Sequence, residues 1–237
     1  LRSISGRDLE SIEEFQFEVN GYAGEIILRL AEGANFVDEA TGSDTLTDVD
    51  LRAMGYLPFE GNETISITPF SEMAFQFIGK ALGLSEEINS VDFIRNSENS
   101  SKIIENYSKA AELVQEVTGI DIIADRVIAA NDSSRFRPAF VEDIVSPEAK
   151  QYGLKLAGLS QLYEGDSTGV GILSFVSQID VTVSDNNILE FNKADAVKAK
   201  VILTEAQETF SVNEGFLSEA PGNSGSTPAF DSNVALI

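Results

Sequence analysis

The chemically reactive side chains that cluster most densely in this sequence are acidic. Five carboxylates fall within residues 38–50: Asp38, Glu39, Asp44, Asp48 and Asp50. Carboxylate oxygens are ligands that Ca²⁺ prefers, so Asp44, Asp48 and Asp50 are candidate calcium ligands. Their spacing does not follow the EF-hand pattern, which needs a glutamate at the twelfth position of the loop. The alternative is a solvated turn, because Asp, Thr and Gly favour turns.

The residue types that are missing restrict the chemistry further. The chain contains no histidine and no cysteine. Ser-His-Asp, Cys-His and HExxH sites are therefore excluded, as are disulfides and the usual structural zinc sites. A Ser-Lys hydrolase is disfavoured because no lysine has a serine three residues before it. We expect a non-enzymatic protein that holds no cofactor, apart from calcium if the acidic segment binds it.

Charge indicates which partners the chain avoids. Its net charge is −23, from 39 acidic against 16 basic residues. Such a chain repels nucleic-acid phosphates and anionic lipid headgroups. No run reaches the roughly 18 consecutive apolar residues that a membrane helix needs. We therefore expect neither a nucleic-acid partner nor membrane insertion.

Strands are predicted on both sides of the acidic segment. Apolar residues alternate with polar ones at 15–19 and again at 25–33, and Asn20-Gly21 between these segments is a turn signal. Shorter extended pieces are predicted at 34–42 and 63–67. These strands are few for an independent sandwich.

At Thr68 the hydrophobic period changes from two residues to that of a helix. Thr68 suits the N-cap, Pro69 suits the first helical position, and Gly83 suits the end. The apolar stripe between them comprises Phe70, Met73, Ala74, Phe77, Ile78, Ala81 and Leu82. Further helices are predicted at about 100–118, 169–180 and 187–210, the last capped by Ser184.

The predicted fold class is α+β. A small antiparallel β portion at 1–67 packs on a larger, all-helical domain at 68–215. Residues 216–237 form a linker rich in Pro, Gly and Ser, followed by a short apolar tail, and we expect this part to be flexible.

Three segments resemble an element of large bacterial cell-surface proteins and lipoproteins. They are "VDEATG" at 37–42, "LRA" at 51–53 and "ITPFSEMA" at 67–74. In that family an immunoglobulin-like (carboxypeptidase-regulatory-like) sandwich precedes a helical domain that opens with a "VTPLTELA"-type segment. Two later segments, "TGIDIIAD" at 118–125 and "YGLKLAGLSQLYEG" at 152–165, are similar to the downstream helices of that family, so the resemblance covers roughly residues 15–180. It implies a partial immunoglobulin-like sandwich and an exported protein, located at the cell surface or outside the cell.

Only the last strands of such a sandwich are present, so we expect residue 1 to fall within a domain. Two explanations stay open. The chain is a fragment of a longer protein, or a neighbouring subunit supplies the missing strands by strand addition. The apolar tail is the candidate for that exchange, with interface residues Phe230, Val234, Leu236 and Ile237.

The function expected from the missing imidazole and thiol groups and from the resemblance is structural. The chain is predicted to be a non-enzymatic, exported bacterial surface protein. It would act in adhesion, in scaffolding or as an extracellular filament subunit, with copies of itself or other surface proteins as partners. The alternative is a carbohydrate- or peptide-binding module of a larger secreted protein.

Overall fold

A computed structural model describes residues 7–8, 15–16, 21–37, 44–47, 49–58, 60, 65–84, 88, 96–124, 152, 154–159, 168–185 and 188–213. The strands are β1 (Arg7–Asp8), β2 (Phe15–Gln16), β3 (Gly24–Leu30), β4 (Asn35–Val37), β5 (Asp44–Leu46), β6 (Leu51–Leu57), β7 (Val181–Val183) and β8 (Leu189–Phe191). The helices are α1 (Pro69–Leu82), α2 (Ser97–Thr118), α3 (Thr168–Ser177) and α4 (Lys193–Asn213), with a further helical segment at 154–159. This content confirms the predicted α+β class.

The β3–β6 ribbon is the longest sheet among the described residues. Its two strands pair antiparallel in full register, from Gly24 opposite Leu57 to Leu30 opposite Leu51. Strand β2, the described part of the strand predicted at 15–19, pairs with β1, whereas β3 pairs with β6, so the described residues do not form the hairpin predicted at Asn20-Gly21. A third antiparallel pair, β4 with β5, encloses the first part of the acidic segment.

Helix α1 lies at the centre of the molecule and matches the predicted bounds. Thr68 accepts a hydrogen bond from the Ser71 amide at 3.1 Å, and Gly83 ends the helix at φ 66°. That positive φ suits glycine, which lacks the Cβ that opposes it. Residues 69–79 are all buried, since α1 packs against β6, α2, α3 and β7.

Helices α2 and α3 pack on α1, and α4 packs on α2. The apolar residues at helical spacing along α2 are all buried: Ile103, Tyr107, Ala110, Val114 and Val117. The segment at 154–159 approaches α4 closely at Gly158, where an added Cβ would lie 2.8 Å from the backbone of Gln207. Glycine at this position lets the two backbones meet without a side chain between them.

A short hairpin departs from the all-helical expectation for 68–215. Strands β7 and β8 pair antiparallel, and Ser184 lies in the turn that joins them, not at a helix N-cap. Val181, Thr182 and Val183 favour extended backbone because they are β-branched. The last helix therefore begins later than predicted, at Lys193, and Asn192 accepts a hydrogen bond from the Ala194 amide at 2.9 Å.

Two other expectations concern the ends of the β portion and of the chain. The strand predicted at 63–67 is wrong over 65–67, which lie in a loop beside α1. The predicted tail at 216–237, with Phe230, Val234, Leu236 and Ile237, lies outside the described residues. Within the part of the chain that the structure describes, no helix combines the length and apolar character needed to span a bilayer.

Candidate functional site

Within the acidic segment the structure describes residues 44–47 and 49–50. Asp44 begins β5 opposite Val37, and Asp50 directly precedes β6. Both carboxylate oxygens of Asp50 bind Arg29, with Nε 2.5 Å from Oδ2 and Nη2 2.7 Å from Oδ1. Oδ1 also accepts a hydrogen bond from the Glu32 amide at 2.9 Å. Asp50 therefore ties β6 to the end of β3.

These contacts bear on the calcium prediction. Among the described residues, no three acidic side chains lie close enough to hold one metal ion. Asp48 and the side chain of Asp44 lie outside that part of the chain. Calcium at Asp44, Asp48 and Asp50 stays a prediction, and binding at Asp50 would have to compete with Arg29.

The most extensive polar cluster of the described residues runs along one row of α1. Glu72, Gln76 and Lys80 follow each other at i, i+4 and i+8, so they lie on one side of the helix. An ordinary surface helix would turn such a row to water. Here Glu72 and Gln76 are buried and Lys80 is partly buried, because neighbouring elements cover this side too.

Glu72 forms a buried ion pair with Arg52 of β6. The two side chains are each 1% exposed. Glu72 Oε2 accepts hydrogen bonds from the backbone amide and from Nε of Arg52, both at 2.9 Å, and Oε1 accepts one from Nη2. Gln76 Nε2 donates to Oε1 at 2.7 Å. The carboxylate thus has four donors, which is the satisfaction that a buried charge requires.

The remaining contacts of Arg52 extend this cluster. Its Nη1 donates to the carbonyl of Ile88, and its guanidinium lies 4.8 Å from the ring centroid of Phe75. A cation over an aromatic face is attracted by the ring's quadrupole. One arginine therefore connects β6, α1 and residue 88.

Burial dominates the titration behaviour of this cluster. It raises the pKa of Glu72 above its ordinary value, while the hydrogen bonds and charge of Arg52 act in the opposite direction. Burial also raises the pKa of Tyr107 to about 12, and the charge of Glu72 adds to that rise. The Glu72 carboxylate is therefore closed to solvent, and its oxygens already accept four hydrogen bonds.

Lys80 completes the row at the other end of α1. Its Nζ donates to the carbonyl oxygens of Ser177 at 3.2 Å and Ile179 at 2.5 Å, and lies 3.4 Å from that of Val176. These carbonyls end α3, where the helix dipole favours a positive charge. Lys80 therefore joins α1 to α3.

Two exposed tyrosines form a separate feature at one end of the ribbon. Tyr22 is 46% exposed and Tyr56 is 60% exposed. Tyr56 lies opposite Glu25 in the ribbon, and the Tyr22 hydroxyl donates to the Glu25 carbonyl at 2.7 Å. Both rings thus flank the same residue.

The sequence offered a partial signal for the α1 row. Arg52 interrupts an apolar strand, and Glu72, Gln76 and Lys80 are spaced by one helical turn. Helical periodicity alone predicts that such a polar row faces solvent, so it did not predict the burial of the Arg52–Glu72 pair. The pair also joins two of the segments on which the family resemblance depends, "LRA" and "ITPFSEMA".

No protein-family model, curated protein or solved structure matches this sequence. The resemblance to bacterial surface proteins and lipoproteins therefore stays a prediction drawn from short sequence segments.

Proposed function

We propose that this chain is a non-enzymatic, exported component of the bacterial cell surface that acts in adhesion, scaffolding or filament assembly. The single observation that carries the proposal is the internal use of the α1 polar row. The described carboxylate whose pKa burial raises, Glu72, serves to hold Arg52 and is closed to solvent.

The contacts of the row support a mechanical interpretation. Glu72 fastens α1 to the β3–β6 ribbon through Arg52, and Lys80 fastens it to the end of α3. The sheet and the helices are therefore joined through α1 by buried charge as well as by apolar packing. A surface component that transmits force between partners needs its two portions to move together, whereas a catalytic site needs its ionisable groups open to substrate.

Assembly and location are tested separately. Negative-stain microscopy and sedimentation of the purified chain, over a concentration series into the millimolar range, should show ordered self-association. For location, intact producing cells are treated with a membrane-impermeant amine label. Lys102 and Lys109, which are partly exposed on α2, should react as fully as in lysed cells. Labelling that needs lysis would contradict export, and monomers at every concentration would contradict self-assembly.

A second candidate is a carbohydrate- or peptide-binding module, and the exposed Tyr22 and Tyr56 favour it. Tyrosine combines an apolar ring with a hydrogen-bonding hydroxyl and is enriched at binding surfaces. Titration calorimetry against oligosaccharide and peptide panels tests this candidate. Saturable binding that Tyr56→Ala abolishes without lowering the melting temperature would support it. Binding that survives Tyr56→Ala, or no binding at all, would remove the tyrosines from consideration.

A further inference from the structure

Lys155 lies on the helical segment at 154–159, close to the end of α2. The residues on either side of it, Leu154 and Leu156, are buried, and its own side chain is partly buried. Its Nζ lies 3.9 Å from the position that a Cβ would take on Gly119, the C-cap of α2. The amine is therefore held beside the end of α2, while part of the side chain stays open to solvent.

Among the described residues, Lys155 differs from other lysines in the partners of its amine. Four lysines have a carboxylate or carbonyl oxygen within hydrogen-bonding distance: Lys80, Lys102, Lys109 and Lys198. Within the part of the chain that the structure describes, Lys155 forms no hydrogen bond and no salt bridge. In a chain with 39 acidic and 16 basic residues, composition alone favours an acidic partner for every lysine. The Lys155 amine is therefore available to a ligand.

Lys200 of α4 is the charged residue that acts on Lys155. The two lysines lie on elements that pack together, since a Cβ added at Gly158 would lie 2.8 Å from the backbone of Gln207. Burial, and after it the charge of Lys200, lowers the pKa of Lys155 below its ordinary value. Of the charged side chains that the structure describes, no acid offsets this effect, and at the end of α2 the amine meets Gly119, which is uncharged.

The chemistry of this pair follows from the form of the amine that the site favours. A neutral amine has the lone pair that attacks a carbonyl carbon, whereas an ammonium group does not. Lysines whose charged form is disfavoured by burial or by a second cation are for this reason suited to forming Schiff bases. Lys200 is exposed and supplies a positive charge that a carboxylate can approach. A ligand that uses both groups has a carbonyl next to a carboxylate.

We propose that Lys155 and Lys200 together bind a small 2-oxo acid, with its carbonyl carbon on the Lys155 amine and its carboxylate beside the Lys200 ammonium. The Lys155 nitrogen forms a bond to the carbonyl carbon, and the carbonyl oxygen takes up the two protons that the nitrogen loses and leaves as water. The product is an imine, formed without oxidation or reduction, and water reverses each step. This site goes beyond the proposed function and does not depend on it, because it adds a ligand and needs no turnover.

Reductive trapping on the full chain tests the site, with glyoxylate as the 2-oxo acid and cyanoborohydride as the reductant. Cyanoborohydride gives a hydride to the imine carbon and fixes the adduct as a secondary amine, which peptide mass spectrometry assigns to individual lysines. At pH 7 Lys155 should be modified several times faster than the partly exposed, ion-paired Lys102 and Lys109. Its rate should also saturate as glyoxylate increases, whereas theirs should rise in proportion. Equal rates at the three lysines, or no saturation at Lys155, would show that the site is absent.

Substitution of Lys200 tests its role separately. Lys200→Met should slow the trapping of glyoxylate at Lys155 by about fivefold more than that of acetaldehyde, which corresponds to about 1 kcal/mol. Acetaldehyde has a carbonyl and no carboxylate, so it reports the reactivity of the amine alone. Lys198→Met is the matched control, because it removes one positive charge from the same helix and should leave trapping at Lys155 unchanged. Circular dichroism verifies that each variant folds. Equal losses with the two aldehydes in Lys200→Met would overturn the assignment of the carboxylate to Lys200, and with it the 2-oxo acid site.

Discussion

Two arginines lie opposite each other in the β3–β6 ribbon, and they differ in their exposure to solvent. Arg29 of β3 lies directly opposite Arg52 of β6. Each forms a bidentate salt bridge with one carboxylate, Arg29 with Asp50 and Arg52 with Glu72. The side chain of Arg29 is 41% exposed, whereas that of Arg52 is 1% exposed. Both salt bridges join an arginine to a carboxylate through two hydrogen bonds. The main difference between them is therefore how deeply the arginine is buried.

Burial changes what each pair contributes to the fold. Water and salt reach the Arg29–Asp50 pair mainly at Arg29, since the Asp50 side chain is 12% exposed, so the loss of this pair leaves groups that water can solvate in part. The Arg52–Glu72 pair has lost its hydration, so each partner depends on the other for compensation. The buried pair therefore acts less as a source of stability than as a requirement that β6 and α1 meet in one register.

Glu72→Gln should produce the largest effect. It leaves the Arg52 charge buried without its counter-ion, and breaking a buried pair costs about 3–5 kcal/mol of the free energy of unfolding. Urea denaturation followed by circular dichroism measures the loss. The double variant Arg52→Met/Glu72→Leu removes both charges and should recover most of it. A single variant that costs under about 1 kcal/mol would show that the pair behaves like an exposed one.

Raising the pH above 10 should lower the free energy of unfolding by less than Glu72→Gln does and by more than Asp50→Asn does. Tyr107 has its pKa raised to about 12, first by burial and in small part by the charge of Glu72. A raised acid pKa means that the folded state keeps its proton longer. The contribution of Tyr107 to the free energy of unfolding is fully present below the ordinary pKa of 10, and it is lost as pH rises from 10 to 12. At 1.36 kcal/mol per pKa unit, the loss is about 2–3 kcal/mol.

Tyr107→Phe separates this group from the other titrating residues. The variant loses the 3.3 Å hydrogen bond that the Met54 amide donates to the Tyr107 hydroxyl, so it starts about 1 kcal/mol less stable at neutral pH. Its stability should then fall less steeply than that of the wild type above pH 10. Parallel curves for both proteins would assign the alkaline loss to other groups.

The sequence predicted the parts of this comparison that depend on local signals. Helix α1 has the predicted bounds because Thr68, Pro69 and Gly83 specify its ends within a few residues. The burial of α2 followed from its apolar period. Strand β7 and strand β8 each contain three residues, too few for a period of two to stand out from the helix expected at that position.

The two ion pairs depend on contacts that no local pattern encodes. Arg52 meets Glu72 across 20 residues of sequence, and Arg29 meets Asp50 across 21. Nothing in the spacing distinguishes them, since both pairs bring a strand arginine to a distant acid. Burial of Arg52 follows only once α1 is surrounded on all sides, which is a property of the assembled fold. The acidic segment shows the same limit, because its pattern did not predict that Asp50 binds Arg29, and calcium at this residue stays a prediction.

Asp50→Asn should produce the smallest effect and completes the comparison with Glu72→Gln. The substitution removes one charge from the exposed pair, and the amide oxygen can still accept from the Glu32 amide, so the cost should be about 0–1 kcal/mol. Because exposed charges are screened, that difference should shrink further between low salt and molar salt, whereas the cost of Glu72→Gln should hardly change.

Melting curves with and without a calcium chelator, on wild type and Asp50→Asn, separate the two roles of Asp50. A pure ion-pair role gives no chelator effect in either protein. A fall in melting temperature on chelation that occurs only in the wild type would instead assign Asp50 to a calcium site, and the exposed pair would no longer be a simple counterpart of the buried one.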